Sequence, residues 1–233
     1  MKKFAFLLLT IIIALGLGTI FLYTDTFILK EIDIESGWIK GEEILQAAEL
    51  FEGQNLFYLN KVDIVKSIHQ DYRVDEVEFK KIYPGKLLLR ITPKKPYVLV
   101  SNKGQMLLLD DRGDLIAMDY EYDGLMIIKD FIIEETNLGE NLVLKNEELF
   151  HTALDLVELC QQAEFKEMTI RQENGFLYLD LADGFRANFG KGSEIVKKFN
   201  NFYTIYQDLS EKNVNNGTIN LTNPDAPTFL PFD

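Results

Sequence analysis

The first pattern along the chain is an unbroken run of uncharged, mostly apolar residues from Phe4 to Tyr23, which follows Lys2 and Lys3. A helix rises about 1.5 Å per residue, so a run of this length matches the roughly 30 Å hydrocarbon core of a bilayer. The pattern predicts residues 4–23 as a single transmembrane helix and residues 1–3 as a cytoplasmic stub, because basic residues stay inside. We therefore expect a single-pass cell-membrane protein with its bulk outside the cytoplasm.

A cleaved signal peptide is the alternative interpretation of the same run. Signal peptides have shorter apolar cores, of about 7–15 residues, and an A-x-A-like cleavage site. No such site occurs between Ala14 and Phe27, so an uncleaved anchor is favoured. Gly16-Leu17-Gly18 offers small residues for helix pairing, but the G-x-x-x-G spacing is absent.

Residues 26–93 show a pattern that predicts a β-α-α-β-β module. Apolar residues two positions apart indicate the strands, and apolar residues three or four apart indicate two helices between them. Asn60 is a candidate N-cap for the second helix. Pro93 and Pro96 punctuate the end of the module and predict a domain joint. The positions that carry the pattern are Ile28, Ile32, Ile34, Ile44, Leu45, Ala48, Val65, Ile68, Val74, Val77, Phe79, Ile82 and Leu87 to Ile91.

Residues 96–230 predict a second, β-rich domain with two flanking helices, followed by a tail at 231–233. Its clearest element is a hairpin, in which Leu177 and Leu179 alternate on one strand and Asp183-Gly184 forms the turn. Helical spacing covers residues 147–163 and a longer segment that Ser193 is predicted to cap. A last short strand runs from Thr218 to Thr222. The predicted fold class is α+β.

Composition narrows the function. The chain has 37 acidic and 24 basic residues and a formal net charge of −13, which argues against nucleic acid as a partner. A hydrophobic content of 47% supports packed cores rather than disorder. Cys160 is the one cysteine, so no internal disulfide can form.

Candidate catalytic and metal-binding groups are sparse. His151 and Cys160 are nine residues apart on one predicted helix, on opposite sides of it, and so cannot form a dyad there. Asp110, Asp111 and Asp114 lack the spacing and closing Glu of a calcium loop. No nucleophile or phosphate-loop motif occurs. We predict that the protein is not an enzyme and takes no cofactor, metal or small-molecule substrate.

Several short stretches, in order along nearly the whole chain, resemble the bacterial cell-division family FtsQ/DivIB. These stretches are Phe27 to Ile34, Gly53-Gln54-Asn55-Leu56-Phe57, Val74 to Val77, Lys80 to Leu87 and Leu109 to Gly113. The resemblance implies that residues 26–93 form a POTRA domain and that the second domain contacts other division proteins. It implies an extracytoplasmic scaffold of the divisome, positioned at the septum.

The partners implied by this resemblance are the membrane division proteins of the FtsB/DivIC and FtsL kinds. A late strand at a sheet edge can pair with a partner strand, so Thr218, Ile219, Asn220, Leu221 and Thr222 are the predicted partner-binding residues. Lys191 resembles a basic residue that the family uses against an acidic partner side chain. Two other classes stay open: a POTRA-bearing translocation component, and a membrane-anchored cell-wall hydrolase, which is disfavoured because no catalytic constellation is visible.

Overall fold

The computed structural model describes residues 2–23, 25–119, 122–166, 168–214 and 216–232. The chain divides into two compact units, Met1–Lys94 and Lys95–Asp233. Helices and mixed sheets are both present, so the predicted α+β class is confirmed.

The N-terminal run forms a helix, α1 (Lys2–Tyr23). Within the described part of the chain, however, no helix is long and apolar enough to cross a membrane. This finding contradicts the predicted transmembrane helix from Phe4 to Tyr23. It also contradicts the single-pass membrane localisation with a cytoplasmic N-terminus.

The first unit then has the predicted order of elements, β-α-α-β-β. They are a short 3-10 turn (Asp25–Phe27), β1 (Glu31–Glu35), α2 (Gly41–Ala47), α3 (Lys61–Ile68), β2 (Val74–Ile82) and β3 (Lys86–Pro93). The Asn60 side chain accepts a hydrogen bond from the backbone N–H of Val62 at 3.0 Å, which confirms the predicted cap of α3. The sheet order is β1-β3-β2, with β1 parallel and β2 antiparallel to β3.

The second unit is built on a nine-stranded sheet. Its elements are β4 (Pro96–Asn102), β5 (Gln105–Asp110), β6 (Leu115–Met118), β7 (Ile127–Lys129), β8 (Ile133–Glu135), β9 (Val143–Leu144), α4 (Glu147–Gln162), β10 (Thr169–Glu173), β11 (Phe176–Asp180), β12 (Phe185–Gly190), α5 (Ile195–Glu211), β13 (Gly217–Asn220) and β14 (Thr228–Leu230). The strand order is β14-β13-β12-β11-β10-β7-β4-β5-β6, and β8 and β9 form a separate pair.

Alternation along these strands separates the two faces of the large sheet. The residues on one face join the buried side chains of α4 and α5 in a continuous core, which includes Ile128, Ile170, Leu179, Ala187 and Ile219. Their sequence neighbours point to the opposite face. We call this opposite face, over β7 and β10 to β14, the outer face.

Candidate partner-binding edge

The predicted binding strand does not lie at the edge of the sheet. Within β13, Asn220 pairs with Asn188 of β12 on one side and with Thr228 of β14 on the other. The expectation that Thr218 to Thr222 forms the terminal edge strand is therefore wrong. A proline at Asn220 would disturb a strand that is paired on both sides. Such a variant would therefore not test the edge strand separately from the rest of the sheet.

The edge strand is β14, which forms because the chain turns back after β13. Asn201 of α5 donates a hydrogen bond to the carbonyl of Pro224 at 2.6 Å, and Lys197 pairs with Asp225 at 2.7 Å. These contacts hold the turn against α5. In the described part of the chain, β13 is the one strand that pairs with β14, so the outer backbone groups of β14 are open to a partner strand.

The side chains of β14 differ between its two faces. Phe229 packs inward, with its ring centroid 6.3 Å from that of Phe185, and its ring lies over Gly217. A Cβ atom at Gly217 would lie 2.5 Å from Phe229 Cε2. Leu230 points to the outer face and is 68% exposed, and Phe232 is 48% exposed. The open backbone is therefore accompanied by exposed apolar side chains.

Lys191 lies in a tight turn beside β13. Gly190 and Gly192 flank it with positive φ values of 65° and 86°. A Cβ at Gly190 would lie 3.3 Å from Cγ2 of Thr222, so the turn packs directly on the end of the predicted segment. Lys191 is exposed, and among the described residues no carboxylate forms an ion pair with it. The structure thus places the turn that carries Lys191 next to Thr222.

A buried lysine that the sequence did not reveal holds this turn in place. Lys198 of α5 is 1% exposed, and its Nζ donates to the carbonyl of Phe189 at 2.8 Å. Phe189 is the extra residue of a β-bulge, because β12 slips in register between Asn188 and Gly190. Burial lowers the pKa of Lys198, against the opposing effect of Glu194. The amphipathic pattern of the sequence did not indicate a basic residue on the buried face of α5.

The other titratable candidates serve the fold where the structure describes them. In the described residues no cluster of His, Cys, Asp and Glu could hold a metal ion. Cys160 is fully buried, and burial raises the pKa of its thiol to about 12. Asp110 accepts hydrogen bonds from the backbone N–H groups of Arg112 and Asp114, at 3.0 and 2.9 Å, and so serves to shape its turn.

Comparison with known proteins finds a distant relative over most of the chain. No protein-family model matches the chain. The chain is 23% identical, over 212 residues, to the "Cell division protein DivIB" of Clostridium botulinum strain Hall. The alignment covers 84% of this chain and 81% of the relative. At this distance the similarity supports the resemblance to the FtsQ/DivIB family that the sequence motifs carry.

Proposed function

We propose that the protein is a non-catalytic cell-division protein that binds partner division proteins of the FtsB/DivIC and FtsL kinds. The similarity to a cell-division protein over most of both chains supports the process. The single observation that carries the mechanism is the open outer side of β14, with Leu230 exposed beside it. Binding would occur by addition of a partner strand to this edge.

The predicted residues take a supporting role in this proposal. Residues Thr218 to Thr222 hold β14 in place through β13 and the turn that follows it. Lys191, beside Thr222, is placed to attract an acidic partner side chain and to make binding depend on salt.

The two units are proposed to fold independently, with domains at residues 26–93 and 96–230. Each unit has its own hydrophobic core: the first is built around Ile44, Leu56 and Leu89, and the second around Ile170 and Phe202. Residues 26–93 expressed alone should unfold cooperatively in urea. An unstructured fragment would contradict the proposal.

Strand addition at β14 can supply a part of the binding free energy. Pro227 and Pro231 bound the strand, so it is three residues long. Phe229 is the residue of β14 whose backbone N–H and C=O point away from β13, because Thr228 and Leu230 pair with Asn220 and Thr218, whose backbone groups face β14 rather than β12. Each outward hydrogen bond contributes a net ~1 kcal/mol. Association costs at least about 4 kcal/mol in lost freedom of motion. Side-chain contacts must therefore add to the backbone pairing.

A proline substitution at the edge tests the proposal. Purified full-length protein is immobilised and mixed with the purified DivIC-like protein of the parent organism. Phe229→Pro removes the backbone N–H of β14 that points outward and should abolish capture, whereas Phe229→Ala loses the same ring, keeps that N–H and should retain capture. Circular dichroism verifies that both variants are folded. Normal capture by a folded Phe229→Pro variant would reject strand addition.

A further inference from the structure

The outer face carries a row of basic residues that leads to the open edge. Lys129 of β7 is in register with Arg171 of β10, and Arg171 is in register with Tyr178 of β11. In the next row, Arg186 of β12 lies between Asp180 of β11 and Thr218 of β13, and Thr218 is paired with Leu230. We call these two rows, from Lys129 to Leu230, the outer stripe.

The two arginines of the outer stripe are held in fixed positions. Asp180 accepts hydrogen bonds from Nε of Arg171 and from Nε of Arg186, each at 2.7 Å. Nη2 of Arg171 also lies 2.6 Å from Asp180. The guanidinium of Arg186 lies 5.6 Å from the centre of the Tyr178 ring. The side chains of Arg171 and Arg186 remain 39% and 34% exposed, so the remaining N–H groups can reach a ligand.

The charge of the outer stripe contrasts with that of its unit. Residues 95–233 contain 12 basic and 24 acidic residues, a formal charge of −12. The outer stripe instead contains three cations, Lys129, Arg171 and Arg186, and one carboxylate, Asp180; Glu173 follows at the end of β10. Among the described residues no carboxylate forms an ion pair with Lys129. A positively charged patch on an otherwise acidic surface favours an acidic ligand.

We infer that the outer stripe is a second docking surface, which binds an acidic segment of the same partner whose strand adds to β14. This inference rests on the proposed function and names the chemistry of the partner. Continuity supports one partner, because the rows of the stripe run through Thr218 and Asn220 to Leu230 and Thr228 of the edge strand. Neighbouring strands lie about 4.8 Å apart, so a segment that leaves the edge crosses β13 and reaches Arg186 within a few residues. The short edge strand also requires a further contact surface.

The test measures affinity between the full chain and the DivIC-like protein of the parent organism by titration calorimetry at low and high salt. Lys129→Gln removes one cation that forms no ion pair with a described residue, so the fold should be unaffected. Its matched control is Lys103→Gln, an equal charge change in the exposed turn between β4 and β5. We expect Lys129→Gln to weaken binding about threefold at low salt and less at high salt, and the control to change it less than twofold.

A double substitution enlarges the effect. Arg171→Gln with Arg186→Gln should weaken binding about tenfold at low salt, whereas Lys103→Gln with Lys212→Gln, the matched control, should not. Equal affinities of stripe and control variants, or tighter binding by the stripe variants, would overturn the inference. If Phe229→Pro still abolishes binding in that case, the proposed function stands. If the unmodified chain does not bind the partner, the proposed function fails and the inference fails with it.

Discussion

The two edges of the nine-stranded sheet differ in whether another part of the described chain hydrogen-bonds to their outer side. At the β6 edge, the backbone N–H of Leu115 donates to the carbonyl of Glu140 at 2.9 Å, and its carbonyl accepts from Gly139 at 2.8 Å. Asp114 forms a further bridge with Asn141. At the β14 edge, no described segment fills the outer side, and Leu230 is exposed.

This difference shows which edge the chain leaves available. An unprotected edge invites uncontrolled pairing with other chains, and proteins limit this with short strands and prolines. β6 is protected at its first residue, Leu115, by the chain's own backbone. β14 is instead kept three residues long by Pro227 and Pro231, which restricts pairing without covering the strand. An edge that is limited but not closed is suited to a selected partner.

The largest predicted effect comes from crowding Phe229 at the open edge. Gly217→Ala would place a Cβ 2.5 Å from the Phe229 ring, at a φ of 145° that side chains rarely adopt. We expect a loss of about 2–3 kcal/mol in the free energy of unfolding and loss of partner capture, because β14 must move. Gly175→Ala is the control: its φ is also positive, at 80°, but the space around it is open. Equal urea midpoints for the two variants would contradict this prediction.

The protected edge should open when its turn is weakened. Asp110 is 2% exposed and accepts two backbone hydrogen bonds, so Asp110→Ala should cost about 2 kcal/mol of unfolding free energy. We also expect the variant to self-associate through β6, as measured by sedimentation. The neighbouring Asp111→Ala, at an exposed position, should do neither. A stable, monomeric Asp110→Ala variant would show that the turn does not protect the edge.

A smaller effect is expected at Leu230, the side chain through which the open edge is proposed to contact its partner. Leu230→Glu should leave the urea midpoint unchanged, because Leu230 is 68% exposed. It should weaken binding of the DivIC-like protein about tenfold, or about 1.4 kcal/mol, because an apolar contact is replaced by a charge. Val196→Glu makes the same kind of change at a 56% exposed position of α5 and should bind normally. Matching affinities of the two variants would place Leu230 outside the interface.

The smallest effect concerns the core that both edges share. Burial raises the pKa of Cys160 to about 12 from an ordinary value of 9.0. The neutral Cys160 thiol makes its full contribution to the free energy of unfolding below pH 9. This contribution is lost as the pH rises towards 12, because the thiol ionises at a lower pH in the unfolded chain than in the folded one. Between pH 8 and 10 we expect a loss of about 1 kcal/mol that Cys160→Ala does not show, measured by urea unfolding. If the unfolding free energy of Cys160→Ala falls with pH as steeply as that of the unmodified chain, the loss comes from other groups. One such group is Tyr97, because burial also raises its pKa to about 12.

Local signals in the sequence predicted part of this architecture. The hairpin of β11 and β12 follows from alternation around Asp183-Gly184, and the Asn60 cap follows from its side-chain acceptor. The predicted cap at Ser193 is wrong: Glu194 is the N-cap of α5, in a left-handed conformation at φ 54° and without a side-chain capping hydrogen bond.

Long-range pairing could not be predicted in the same way. The sequence indicates which residues share a face of a strand, but not that β7 lies between β4 and β10. The outer stripe therefore cannot be predicted until the strand order is known. β14 was missed because it is three residues long and lies between two prolines, a pattern typical of an irregular tail.

The single tryptophan gives one unit its own optical signal. Trp38 lies in the first unit, and its Nε1 donates to the carbonyl of Lys94 at 3.0 Å, at the end of that unit. Cys160, the single cysteine, lies in the core of the second unit. Tryptophan fluorescence therefore follows the opening of one unit, while the rate of thiol alkylation follows the opening of the other. The unmodified chain carries two built-in reporters that need no added label.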